Sequence, residues 1–243
     1  MMNKLYYIDP YLVRFEADLS GVDDNRCLLS ATAFYPGGGG QPADSGKLLI
    51  EGLEYMVLDV SEDSFGDVWH ITDRPVEHKD KVIGIIDWDK RFQYMRYHGL
   101  LHIVNALAMR DYEGWITGAQ VATEYARIDF NISDFTRDMI PSFEENINKV
   151  ISNNYPVNSE FISEEQFHGR PELVRTLVAK PPVKNGTIRI VTIGDFDAQA
   201  CGGTHVHSTR EIGLCKVDRF DNKGSKNKRF YFKLTADVAT GEA

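Results

Sequence analysis

The sequence predicts an α+β protein: a small β-barrel-like domain over residues 1–88, followed by an α+β domain over residues 89–243. Three observations predict it. Residues 5–88 carry short apolar or alternating segments, separated by Gly, Asp or Pro. Residues 89–112 carry apolar side chains at helical spacing, with no proline and one glycine. Beyond them, helical and strand-like segments alternate.

The N-terminal segments at 28–33, 46–50, 55–60 and 82–87 are closely spaced, which suits a small barrel or sandwich and not βαβ units. The helix over 89–112 aligns Phe92, Met95, Leu100, Ile103, Val104, Leu107 and Ala108. Residues 119–130 read as a strand pair ending in Arg127-Ile128-Asp129-Phe130. A second helix follows, opened by Ser133 or Asp134 as N-cap and running through 146–152, with Pro141 setting its start at or after itself. Residues 164–178 read as helical. Residues 187–193, 213–220 and 229–234 read as strands.

A chain of 243 residues can bury one large core or two small ones. Its 42% hydrophobic content, with 13 Phe and 11 Tyr, excludes a disordered chain. No apolar run approaches the roughly 20 residues of a membrane helix. The first residues lack the apolar stretch of a secretion signal. A cytoplasmic location without membrane contact is the expectation, and no protein partner can be inferred. Cys27, Cys201 and Cys215 are too few and too scattered for a disulfide framework. The net charge of −9 argues against indiscriminate nucleic-acid binding. Residues 216–233 depart from it, with seven positive side chains against two negative, net +5. Such a strip, which includes Lys223, Lys226, Lys228 and Arg229, suits a local phosphate contact or, equally, a solvated loop.

His98 and His102 are four apart on the first helix, so both imidazoles share a face and can reach one ion. Gly99 excludes a zinc protease of the H-E-x-x-H type. Cys201-Gly202-Gly203-Thr204-His205 offers a thiolate and an imidazole on a glycine turn. Either pair alone also fits a structural role. Together, three histidines and one cysteine suit a single Zn²⁺. His207 reads as a neighbour or surface residue, and His70, His78 and His168 as ordinary polar residues. Residues 37–40 are four consecutive glycines, without the Gly-Lys-Ser/Thr of a phosphate loop.

These motifs carry a resemblance. Residues 32–42, Thr-Ala-Phe-Tyr-Pro-Gly-Gly-Gly-Gly-Gln-Pro, with Asp44 and Gly46, resemble the glycine-rich motif of the editing region of alanyl-tRNA synthetase. His98 to His102 resembles its H-x-x-x-H motif, Arg127 to Phe130 its R-x-D-F strand, and Ala200 to Val206 its C-x-x-x-H motif. The order is the family's and the motifs cover nearly the whole chain. The chain therefore resembles the free-standing alanyl-tRNA editing proteins, the AlaX family, of the longer type with a glycine-rich N-terminal domain.

The resemblance implies a zinc-containing editing domain after the barrel, with His98, His102, Cys201 and His205 as ligands. It implies hydrolysis, in trans, of Ser-tRNA(Ala) and Gly-tRNA(Ala), with the tRNA(Ala) acceptor end as partner. Four protein ligands close a zinc site, so entry of water or substrate needs one to loosen, and His205 is the candidate. Thr32, Gln41, Thr117 and Gln199 are the candidates to contact a serine hydroxyl, and Lys223, Lys226, Lys228 and Arg229 to contact tRNA. Gly99 stands where the family commonly has Thr or Ser, Arg210 where it commonly has Gly, and Gly118-Ala119 where many relatives have Gly-Ser. Near that last departure Thr117 or Gln120 can supply the missing polar group. Three alternatives stay open: a zinc-stabilised tRNA-binding module without hydrolysis, a threonyl-type editing deacylase, and a zinc hydrolase of small esters.

Overall fold

The computed structural model describes residues 3–76, 81–175, 183 and 186–235. The chain forms two compact units, Met1–Tyr94 and Met95–Ala243. The sequence places the division at residues 88/89, and the observed one falls six residues later, inside a helix.

The first unit contains β1 (Asn3–Lys4), β2 (Arg14–Asp23), β3 (Arg26–Leu29), β4 (Ala31–Thr32), β5 (Gly46–Ile50), β6 (Leu53–Glu62), β7 (Val68–Thr72) and β8 (Lys81–Ile86). Six of these close a barrel in the order β2-β3-β7-β6-β5-β8, and pairing of β8 with β2 completes the ring. Alternation drives it. In β2 the charged Arg14, Glu16 and Asp18 point out, while Phe15 and Ala17 are buried. The inner positions Leu29, Leu48, Ile50, Val57, Val68 and Val82 fill the interior. Gly84 pairs with Phe15 across the β2–β8 ladder, where a Cβ would come within 2.3 Å of the Phe15 ring.

The glycine-rich segment lies between β4 and β5. Gly37, Gly38, Gly39 and Gly40 all have positive φ, from 60° to 127°, a run that side-chain-bearing residues adopt only at a cost. Its base is clamped. Tyr35 N donates to Asp44 Oδ2 (2.6 Å), and Asp44 N donates back to Tyr35 O (3.0 Å). Arg91 grips the same carboxylate through Nε (2.9 Å) and Nη2, and also donates to Ala33 O and Pro10 O. Both side chains of this ion pair are 1% exposed.

The long helix α1 (Trp88–Tyr112) follows. The second unit then adds β9 (Trp115–Val121), β10 (Ala126–Asn131), α2 (Ile140–Ser152), β11 (Val157–Ser163), α3 (Glu164–His168), β12 (Thr187–Ile193), β13 (Asp197–Ala200), β14 (Cys215–Asn222) and β15 (Asn227–Leu234). One antiparallel sheet has the order β14-β15-β10-β9, and another β11-β12-β13. An aromatic cluster of Tyr112, Phe135, Phe143, Phe220 and Phe230 ties α1 and α2 to the four-stranded sheet.

Two helix boundaries differ from expectation. Neither Ser133 nor Asp134 caps α2. The chain stays irregular through Phe135, which buries its ring in the aromatic cluster, and the helix starts at Ile140 with Pro141 in its first turn. The helix expected over 164–178 is the five-residue α3. A reciprocal Ser163–Gln166 cap opens it, Gly169 and Pro171 close it, and residues 176–178 lie outside the described residues. Among the described residues no helix is long and apolar enough to cross a membrane.

Candidate metal centre

The two histidines of α1 meet the 201–205 turn inside the second unit. Helix periodicity brings His98 and His102 to one face, their ring centroids 5.1 Å apart. The turn that follows β13 brings Cys201 and His205. Cys201 Sγ lies 3.4 Å from His98 Nε2 and 3.8 Å from His205 Nε2, and His205 Nε2 lies 3.1 Å from His102 Nε2. All four donor atoms lie within 4.8 Å of one another. A tetrahedral zinc, with Zn–N near 2.0 Å and Zn–S near 2.3 Å, separates neighbouring donors by roughly 3.3–3.6 Å. Three nitrogens and one sulfur at these spacings fit such an ion.

Gly99 explains how the turn approaches the helix. A Cβ there would stand 3.2 Å from Ile212 Cδ1 and 3.6 Å from Val206 Cγ2, so the bare helix surface lets the segment carrying His205 pack closely. Arg96 Nε donates to Ile212 O (2.9 Å) and pins the end of that segment to α1.

The electrostatics suit a cation. Burial pushes His98 down to about 4, and burial with the neighbouring histidines and Arg189 pushes His102 and His205 well below the ordinary imidazole value. All three are therefore neutral at pH 7, with lone pairs available. Burial pushes the Cys201 thiol up, against the pull of the Gly203 N–H and the Arg189 charge. A thiolate here calls for a nearby cation. His102 Nδ1 is buried with no hydrogen-bond partner among the described residues, whereas the Gly203 backbone bonds His205.

Two supporting groups escaped sequence reasoning. Arg189, buried on β12, donates through Nη1 to Cys201 O (3.0 Å) and Gly203 O (2.9 Å), and Cys201 N donates to Arg189 O (3.0 Å). Asn105, fully buried one turn beyond His102, donates to Gln199 Oε1 (3.1 Å), and Gln199 Nε2 donates to Asp197 Oδ2 (2.6 Å). Asp197 pairs with Arg175. The available signal is a polar residue set between apolar neighbours, Arg189 between Ile188 and Ile190, and Asn105 between Val104 and Ala106.

The remaining candidates are dispersed. Thr32 is buried in the first unit, with Oγ1 2.7 Å from His70 Nε2 and accepting from Phe34 N. Gln41, also buried there, exchanges backbone hydrogen bonds with Gly38. Thr117 is exposed on β9, and Gln199 is buried on β13, two residues before Cys201. Lys223 and Lys226 are exposed in the β14–β15 hairpin. Lys228 is 3% exposed and caps that hairpin from inside, donating to Asn222 Oδ1, Gly224 O and Ser225 O. Arg229 makes a bidentate pair with Asp129 (2.6 and 2.8 Å). His207 and His168 are exposed, His70 is buried in the barrel, and His78 lies outside the described residues.

Residues 188–231, from β12 to β15, match the family described as threonyl and alanyl tRNA synthetase second additional domain. Residues 10–90 match the class II (A) tRNA synthetases. The chain is 38% identical to the alanyl-tRNA editing protein AlaX-M of Methanosarcina acetivorans, over 96% of this chain and 99% of that protein. It is 36% identical to AlaX-M of Saccharolobus solfataricus, again over 96% and 99%. It is also 36% identical to the alanine–tRNA ligase of Pyrococcus furiosus, where 98% of this chain covers 26% of the ligase. The chain belongs to the AlaX-M family of alanyl-tRNA editing proteins.

Proposed function

We propose that the protein is a trans-editing hydrolase that removes serine, and glycine, from mischarged tRNA(Ala). One Zn²⁺ would be held by His98, His102, Cys201 and His205. The observation that carries this reading is the convergence of those four donor atoms in a chain of this family.

The substrate ester is activated, so catalysis needs little beyond positioning and charge stabilisation. Bound zinc supplies Lewis acidity for that purpose. The chain supplies the rest. Neutral His98, His102 and His205 and the Cys201 sulfur form the cage. Arg189 fixes the turn by bonding two of its carbonyls. The Asn105–Gln199–Asp197 chain ties α1 to the strand that delivers Cys201.

Selectivity is a problem of one hydroxyl. A site that hydrogen-bonds serine's hydroxyl rejects alanine strongly, because a buried polar group would otherwise stay unpaired. Of the proposed contacts Thr32, Gln41, Thr117 and Gln199, the last stands on the strand running into Cys201, and a serine hydroxyl there would share the amide that already bonds Asn105 and Asp197. Lys223 and Lys226 have exposed ammonium groups for tRNA phosphates, whereas Lys228 and Arg229 are already engaged within the protein.

The test is to incubate the protein with Ser-, Gly-, Ala- and Thr-charged tRNA and follow each ester. Loss of Ser and Gly esters with Ala retained is expected. Selective loss of serine from Ser-tRNA(Thr) would instead mark a threonyl-type deacylase. Binding without hydrolysis would mark a tRNA-binding module.

A further inference from the structure

The four-stranded sheet of the second unit has two unlike faces. One buries Ile128, Phe130, Phe230 and Phe232. The other carries charged and planar groups, and the ladder register aligns them in rows. Arg127 on β10 stands opposite Tyr231 on β15 and Gln120 on β9. Tyr231 stands opposite Arg219 on β14, and Lys233 opposite Lys216. We propose that this face holds an unpaired RNA strand, its bases stacking on the Tyr231–Arg219 row and its phosphates meeting Arg127, Lys216 and Lys233. The proposal rests on the editing function and names a surface through which its tRNA is held.

Three observations carry it. First, planar groups are already arranged in a row: the Arg219 guanidinium lies 5.1 Å from the Tyr231 ring centroid, and the Tyr125 ring lies 6.0 Å from it on the β9–β10 turn. Bases stack on aromatic rings and on guanidinium planes, and an aromatic on an open sheet suits unpaired bases. Second, the charge is of the right sign. In a chain of net charge −9, this face carries Arg127, Lys216, Arg219, Arg229 and Lys233 against Asp129, Asp218 and Asp221. Arg229, Arg219 and Lys233 are paired with those three carboxylates. Third, Arg127 Nε is buried and finds no hydrogen-bond partner among the described residues. The side chain as a whole is only half-buried, so the guanidinium beyond that atom is open to an acceptor from outside the chain, such as a phosphate oxygen.

The row of planar groups favours RNA over an acidic peptide, which has charge but no bases. It favours an unpaired strand over a duplex, whose bases are already stacked.

The experiment measures binding of a single-stranded RNA ending in CCA, the same sequence in a duplex, an acidic peptide and uncharged tRNA(Ala) to the full chain across a salt series. Tyr231→Ala is expected to weaken single-strand binding about tenfold, and Tyr231→Phe to restore it. Arg127→Gln is expected to weaken binding and flatten its salt dependence, which a merely structural role would not do. The exposed pair Lys216→Gln/Lys233→Gln, which leaves the core untouched, is expected to reduce the salt slope by about 1 to 1.5. Wild-type affinity and slope in all of these variants would overturn the proposal. So would tighter binding of the duplex or the peptide, or no RNA binding by the wild type. Loss of serine from Ser-tRNA(Ala) is scored in parallel. If the ester is lost while the variants bind normally, the surface fails and the function stands. If RNA binds here and no ester is lost, the function fails and the surface stands.

Discussion

The chemistry of the centre is set by four side chains and one that holds them. His98, His102 and His205 are kept neutral by burial, and Cys201 needs a cation to be a thiolate. Arg189 holds them: two carbonyls of the turn accept from it, and its charge acts on all four ligands. Arg189→Met is expected to weaken zinc affinity by about 10–100-fold, the usual cost of losing a group that orients ligands. A zinc titration with a competing chelator reads this, and unchanged affinity would show that Arg189 does not orient the ligands. In the barrel, His70 is buried between Thr32 and Cys27 O, and burial pushes it down to about 4. Its folded value lies below the unfolded value near 6.5, so the unfolded chain binds the proton more readily. The stability is complete above pH 6.5 and is lost as pH falls toward 4. Urea melts should show the wild type losing about 2–3 kcal/mol more than His70→Gln between pH 7.5 and 4.5. Parallel losses in the two proteins would contradict it.

At the scale of elements, the glycine loop and the first turn of α1 are joined by one buried ion pair. Asp44→Ala would leave Arg91 buried without its carboxylate, and the expected cost is about 3–5 kcal/mol by denaturant unfolding. A loss under 1 kcal/mol would show that water reaches Arg91. Gly99 makes a similar point for α1. Gly99→Leu should push the 206–212 segment away and weaken metal binding, while Gly99→Ala, with only Ile212 to displace, should leave it nearly intact.

These elements were unequally legible. His98 and His102 could be placed on one face because helical period is a local property of the chain. The inward and outward residues of β2 follow from alternation in the same way. Closure of the barrel through β8 and β2 was not legible, since it depends on pairing between segments far apart in sequence. By charge Lys228 belongs to a basic strip, but its ammonium turns back on its own hairpin, which charge counting cannot show. Arg189 and Asn105 acquire their meaning only when β12, β13 and α1 are brought together.

At the scale of the molecule, metal and fold are linked in the second unit. The four donor atoms come from α1 and from the turn after β13, more than a hundred residues apart for His98 and Cys201. An ion that binds only the folded arrangement stabilises it by mass action, about 2.7 kcal/mol at a hundredfold excess over Kd. Zinc should therefore raise the unfolding temperature of the wild type in a concentration-dependent way and leave Cys201→Ala unmoved. An equal rise in both proteins would place the ion elsewhere.

One four-donor metal centre is proposed to remove serine from tRNA(Ala) in this AlaX-M chain. The most direct measurement is metal content together with Ser-tRNA(Ala) deacylation, on wild type and Cys201→Ala in parallel. The predicted result is one zinc per chain and rapid loss of the seryl ester in the wild type, with both lost in Cys201→Ala. Full deacylation by a metal-free Cys201→Ala protein would contradict it.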